Sequence, residues 1–267
     1  MQVQSLYYYP VKSLPGINVE RLELDDFGPV GDRRWMITDQ FGQFITQRNY
    51  PALARVGISV DAGVVSIEVP DQGRFRLIAS AEAHNVMVWN DWIEAERAEA
   101  GPAEGLSNYL GIKVDVVYMP DRTFRIVDRV WVKERRRVGF ADGFPFLIVN
   151  QASLDELNTR LEDSIDIRRF RPNIVVTGAE PWAEDHWGVL LIGSVRFSLV
   201  KPCSRCVLTT VDPDTGTKAA DQQPLRTLGS YRRQPGGVIF GMNAIHGGEG
   251  PVVLGDAVSF DEFGEKQ

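Results

Sequence analysis

Through residues 1–119 apolar and polar positions alternate in short runs, VQSLYYY, RRWMITD, GVVSIEV, GRFRLIA and HNVMVW, each bounded by Gly, Pro, Asp or Asn. A period of two sends successive side chains to opposite faces, so each run predicts a strand, and their close succession predicts a small barrel or sandwich. One helix is expected from Ala103 to Leu110, with Gly111 as its left-handed cap, followed by the strand KVDVVYM. Pro120 lacks the amide that a central strand donates, and Asp121 adds turn chemistry. The expected division is therefore residues 1–119 and 120–267.

In the second half the period changes once. Ser153-Leu154-Asp155-Glu156 has the form of a capping box, and Leu154, Leu157 and Leu161 would share one face of the helix it opens. The runs NIVVTG, LLIGSVRFSLV, GVIFGMNAI and PVVLGDAVSF then predict strands. The expected fold class is mainly β with a few helices.

Composition narrows the function. With 267 residues, 43% hydrophobic, the chain can bury a core, and a net charge of −7 argues against a general affinity for nucleic acid. There are 23 arginines and 6 lysines. Arginine's fork suits carboxylate or phosphate, although a GC-rich genome would write the same bias. No apolar run is long enough to span a membrane. The start MQVQSLYYYP reads as a strand and not as a secretory signal, so a cytoplasmic protein without a membrane partner is expected. Two cysteines cannot supply an iron–sulfur cluster.

Both cysteines lie in Lys201-Pro202-Cys203-Ser204-Arg205-Cys206-Val207-Leu208-Thr209-Thr210-Val211-Asp212-Pro213-Asp214-Thr215-Gly216. A thiol–disulfide pair would need a helix N-terminus, whereas the flanks are apolar and β-branched. A zinc site would need two more ligands, and His84, His186 and His246 are scattered. Buried small hydrophobes are the ordinary fate of free cysteine. Against that, Lys201 and Arg205 put cations beside the thiols, which favours thiolate and hence nucleophilic or soft-metal chemistry.

This segment resembles the signature of the MOSC family, named after the C-terminal domain of molybdenum cofactor sulfurase. The resemblance extends to Tyr9-Pro10-Val11-Lys12-Ser13, Gly31-Asp32-Arg33-Arg34-Trp35, Thr46-Gln47-Arg48 and Phe170-Arg171-Pro172-Asn173-Ile174, in the family's order. It implies a β-barrel MOSC domain behind a smaller β-rich N-terminal domain, and a molybdenum cofactor (molybdopterin) whose metal is held by Cys206. The other soft ligands would be the pterin's dithiolene sulfurs, with Cys203 packing beneath the site. Lys12, Ser13, Arg33, Arg48 and Arg171 match cofactor-binding positions, as do Thr46 and Asn173 with neutral hydrogen bonds. Pyridoxal phosphate binding is a further association of the family.

Two-domain proteins of this type resemble the mitochondrial amidoxime-reducing component and its bacterial relatives. That implies two-electron reduction of small N-hydroxylated substrates, with Cys206 as the catalytic residue. Many bacterial relatives carry a ferredoxin-like domain after this one, and this sequence stops before it. A separate electron donor, a ferredoxin or flavin reductase, is therefore expected. The basic run Lys133 to Arg137 is read as a solvated loop that could dock an acidic carrier. Asp142 and Asp185 are candidate proton sources. The rival reading is a non-catalytic carrier of the cofactor, or of sulfur, on Cys206.

Overall fold

The computed structural model describes residues 1–248 and 250–261. It is mainly β, with three α-helices among the described residues. The largest sheet runs Ile17–Val19, Gln2–Tyr8, Ile174–Thr177, Phe146–Asn150, Gly237–Gly247, Val195–Arg205, Val189–Ile192, Val258–Phe260. Its ends meet. Val3 N donates to Asp256 O (2.9 Å), Gly255 N to Val3 O (3.0 Å) and Val258 N to Met1 O (2.9 Å). Curling the sheet onto itself satisfies edges that would otherwise template aggregation. The interior is filled by Leu6, Phe146, Ile148, Leu190, Val195, Phe197 and Ala244, all at most 1% exposed. Phe146–Asn150 and Ile174–Thr177 are parallel, which requires a crossover, and the helix Gln151–Asn158 lies in it.

A second β unit combines a four-stranded sheet, Ala79–Val88, Asp91–Ala98, Val114–Tyr118, Trp35–Asp39, with a three-stranded one, Gly57–Asp61, Val64–Val69, Gly73–Arg76. Helix Pro102–Leu110 contributes Leu106 to the core shared with Leu53, Ile67, Val114 and Val116, and Gly111 closes it at φ 68° as expected. The two units are laced together. After the barrel strand Gln2–Tyr8 the chain crosses to the second unit, where Lys12 N donates to Trp35 O and Trp35 N to Pro10 O. Arg33 N bonds Tyr9 O, and Phe140 N bonds Arg33 O. The units in space interlace across the expected division at Met119–Pro120, since Gln2–Tyr8 and Ile17–Val19 lie in the large sheet.

Three local expectations are corrected. The cap of helix Gln151–Asn158 is Asn150, whose side chain accepts from Ala152 N; Ser153 is buried, donating to Glu184 Oε2 (2.8 Å) and accepting from Trp182 N (2.7 Å). The helix stops before Leu161 because the Asn158 amide brackets the backbone of Ile165, donating to its carbonyl and accepting from its N–H. The run LLIGSVRFSLV is a hairpin and not one strand, turning at Gly193–Ser194 between Ile192 and Val195.

Candidate functional site

At the seam of the two units lies a cavity of about 370 Å³. The strand Val195–Arg205 delivers the cysteines to it. Pro202 interrupts that strand, whose register against Gly237–Gly247 slips between Leu199 and Lys201 and again between Pro202 and Ser204. Bulges of this kind re-aim side chains and tolerate a proline. Cys203 and Cys206 both emerge at the cavity as free thiols. Residues 207–210, read from sequence as extended, form one turn of 3₁₀ helix with Cys206 at its N-cap. Thr209 Oγ1 donates to Cys206 O and Thr210 Oγ1 to Val207 O, which offers β-branched residues a local alternative to a strand.

Beside Cys206 stands Arg48, whose Nε donates to the sulfur at 3.2 Å and whose terminal nitrogen donates to Asp142 Oδ2 at 2.8 Å. Lys12 Nζ, nearly fully buried, donates to the other Asp142 oxygen (2.5 Å) and to Phe140 O (2.7 Å). Burial alone would raise the Asp142 carboxyl. Lys12 and Arg48 together outweigh it and hold the group well below the usual carboxylate range. Asp142 is therefore an ionised acceptor at neutral pH rather than a proton source. Asp185 is not in the cavity at all; it forms a bidentate pair with Arg232 at 2.7 Å.

The opposite wall is built around a buried carboxylate that the sequence reading passed over. Asp32 receives Tyr9 N (2.8 Å), Arg33 (2.6 Å) and the Asn173 amide (3.2 Å). The Asn173 oxygen accepts from Arg33 (3.1 Å) and from Leu147 N (3.2 Å), so this side chain is committed to positioning Arg33. Arg33 and Arg171 each place their guanidinium 4.3 Å from the Tyr9 ring centroid. Burial, reinforced by Arg33, lowers Arg171 to about 10. Uncompensated, that burial is unfavourable for the cation.

The backbone shows where the wall is forced. Ser13 (φ 65°), Arg33 (47°), Trp89 (57°) and Arg171 (57°) all line the cavity in the left-handed region. Such residues cost free energy and persist where surroundings over-determine them, which is common at ligand sites.

Of the eight residues expected at the site, seven line the cavity: Lys12, Ser13, Arg33, Arg48, Arg171, Asn173 and Cys206. Thr46 does not. It is buried behind Arg48, accepting from Arg48 N through its hydroxyl (3.2 Å) and from Asn49 N and Tyr50 N through its carbonyl. Lys201 is turned toward the Trp131 ring (5.0 Å), whereas Arg205 donates to Cys203 Sγ at 2.9 Å. Asp32, Trp89 and Phe144 had not been singled out, and nothing in their spacing marks them.

Six cations, Lys12, Arg33, Arg48, Arg171, Lys201 and Arg205, line the cavity against one carboxylate, Asp142, in a chain whose net charge is −7. Arg205 Nε is buried without a hydrogen-bond partner. Bond donors of this number suit phosphate oxygens, and a thiol among them suits a soft metal. The volume falls in the range of small-molecule and cofactor sites, roughly 300–1,000 Å³. Among the described residues no group of three or more His, Cys, Asp and Glu side chains could hold a metal ion. A metal here would need ligands from a bound group besides Cys206, and the residues present fit such a group.

Fold and site together define a class: a two-unit β protein with a cation-lined cavity beside a cysteine thiol at the seam. The chain belongs to the MOSC family. Residues 135–259 match the MOSC domain, and residues 1–113 match the MOSC N-terminal beta barrel domain. It is 34% identical over 245 residues to mitochondrial amidoxime-reducing component 1 of Homo sapiens, covering 86% of this chain and 72% of that one. Against mitochondrial amidoxime reducing component 2 of Homo sapiens the figure is 35% over 243 residues, with the same coverage. Molybdenum cofactor sulfurase of Oryza sativa subsp. japonica is 28% identical over 264 residues, 91% of this chain but 32% of that protein. Among solved structures, YiiM from Geobacillus stearothermophilus matches at 16% identity over 45% of this chain and 55% of that chain, with a TM-score of 0.34, too slight a likeness to inform the site. The pyridoxal phosphate association finds no support in these relatives' names.

Proposed function

We propose that this protein holds a molybdenum cofactor in the seam cavity through Cys206 and reduces small N-hydroxylated compounds with electrons from a separate donor protein. The observation that carries the reading is the free Cys206 thiol, 3.2 Å from Arg48, inside a cavity lined by six cations. The relatives named for amidoxime reduction support the substrate class.

When bound, the cofactor would supply the metal that exchanges two electrons with an N–O bond. The chain's own residues do the rest. Cys206 offers a thiolate ligand. Arg33 and Arg171 present donors from a wall already fixed by Asp32, Asn173 and Tyr9, so little order is lost on binding. Asp142 holds Lys12 and Arg48 in one arrangement and opposes the burial that lowers Lys12 to about 8. A cytoplasmic location stays part of the proposal; among the described residues no helix is long and apolar enough to cross a membrane.

The basic run is expected to serve the donor, but not all of it can. Arg137 is turned inward, donating to Asp121 O and Thr123 O with its guanidinium 3.9 Å from the Phe27 ring. Arg136 pairs with Glu134 in the same loop. Docking of an acidic carrier therefore falls to Lys133 and Arg135, both exposed, rather than to the whole run.

The similarity to molybdenum cofactor sulfurase favours a second reading, a carrier that passes on the cofactor or its sulfur. Turnover separates the two. Cofactor-loaded protein supplied with a reduced dye should convert benzamidoxime to benzamidine, and Cys206→Ser should not. Loaded protein without turnover on any N-hydroxylated compound would favour the carrier.

A further inference from the structure

One residue at the cavity is placed at a cost that the reading above leaves unexplained. The strands Ala79–Val88 and Asp91–Ala98 form a hairpin with Val88 opposite Asp91, so Trp89 and Asn90 alone make the turn. Two-residue hairpins favour glycine, asparagine or aspartate wherever φ is positive, because a Cβ is crowded there. Trp89 occupies that position at φ 57°, and an aromatic in the left-handed region is a marked outlier. It is not a core anchor, since 46% of it is exposed. What it gains is placement. It lines the cavity, with Arg48 5.2 Å from its ring centroid and Phe44 packed at 5.1 Å to fix its tilt.

The same Arg48 donates to Cys206 Sγ, so the indole stands one residue removed from the sulfur. Phe144 lines the same cavity, with Lys201 Nζ 5.9 Å from its ring centroid. Trp89, half-exposed, thus stands where the cation-lined cavity opens to solvent. An indole braced by Phe44, with much of its surface open on a cavity, is a stacking platform, and planar rings are what it stacks.

We infer that Trp89 is a specificity-determining residue that stacks on the ring of aromatic N-hydroxylated compounds at the cavity mouth and orients their N–O group toward the Cys206 side. The inference rests on the proposed reduction for its substrate class, and on the hairpin strain and cavity position for the residue. Trp89 acts by positioning; it exchanges neither electrons nor protons with the substrate.

Trp89→Gly is a favourable test because it restores the residue the turn prefers, so the fold should be kept or strengthened. Calorimetric titration of the cofactor-loaded protein would compare benzamidoxime with acetamidoxime, its aliphatic counterpart. The expected result is a three- to tenfold loss of benzamidoxime affinity in Trp89→Gly, little change for acetamidoxime, and recovery in Trp89→Phe. In turnover the loss should fall on KM for benzamidoxime and leave kcat within about twofold. Equal losses for both probes, or none for either, would overturn the inference while leaving the reduction standing. Ring-selective binding without turnover by the wild type would uphold the stacking role and remove the reductase reading instead.

Discussion

The two walls of the cavity use arginine in opposite ways. On one, Arg33 is locked by Asp32, Asn173 and the Tyr9 ring, every partner buried and none of them reactive. On the other, Arg48 spans Cys206 and Asp142, and the Asp142 side chain is 53% exposed. The first arrangement is a scaffold whose charge is balanced before any ligand arrives. The second touches Cys206 Sγ, the atom proposed to hold the metal. The difference teaches that a shared residue type within one cavity does not mean a shared role; the partners decide.

Mutations on the two walls should separate accordingly. The largest effect is expected from Arg33→Ala, which strands the buried Asp32 carboxylate. Breaking one partner out of a buried pair costs about 3–5 kcal/mol, so chemical denaturation should show a loss of that order. A loss below about 1 kcal/mol, the value of an exposed pair, would mean that the scaffold wall is no scaffold.

Asp142→Asn should be milder, about 1 kcal/mol, because the carboxylate is half exposed. Its sharper signature is in pH. The folded carboxyl lies below its unfolded value, so its contribution is present above about pH 4, the ordinary aspartate pKa, and is lost as pH falls through the lower folded value. Denaturation midpoints of wild type and Asp142→Asn should converge as pH falls below about 4. A constant gap down to the lowest accessible pH would contradict the assigned pairing.

Smaller still, the double variant Lys133→Ala, Arg135→Ala should slow turnover with an acidic protein donor severalfold at low salt and leave a small dye donor unaffected. Equal turnover with the native donor would remove the docking role. Cys203→Ser should change least. The thiol packs against the cluster of Phe170 and Phe240 and meets Arg205, so the metal content should persist.

Much of the fold was legible because its signals are local. The period-two runs became strands, and Gly111 capped Pro102–Leu110, since alternation and a left-handed glycine need no distant partner to be read. What the sequence hid depends on partners far along the chain. Gln2–Tyr8 pairs with Ile174–Thr177, so its place in the large barrel cannot be read from its own residues. Ser153 satisfied the capping pattern, yet Glu184, 31 positions away, drew it inward. Within the site, Cys206 and the cations were legible through the family pattern, while Trp89 and the role of Asp32, itself part of that pattern, were not. Asp32 matters through its burial and Trp89 through the turn that strains it, and neither property is written in spacing.

Whether Cys206 holds the metal is decided by elemental analysis of molybdenum in protein expressed in a host that makes the cofactor, wild type beside Cys206→Ser. Near-stoichiometric molybdenum in the wild type and its loss in the variant are the predicted result. Equal molybdenum in both would contradict the account.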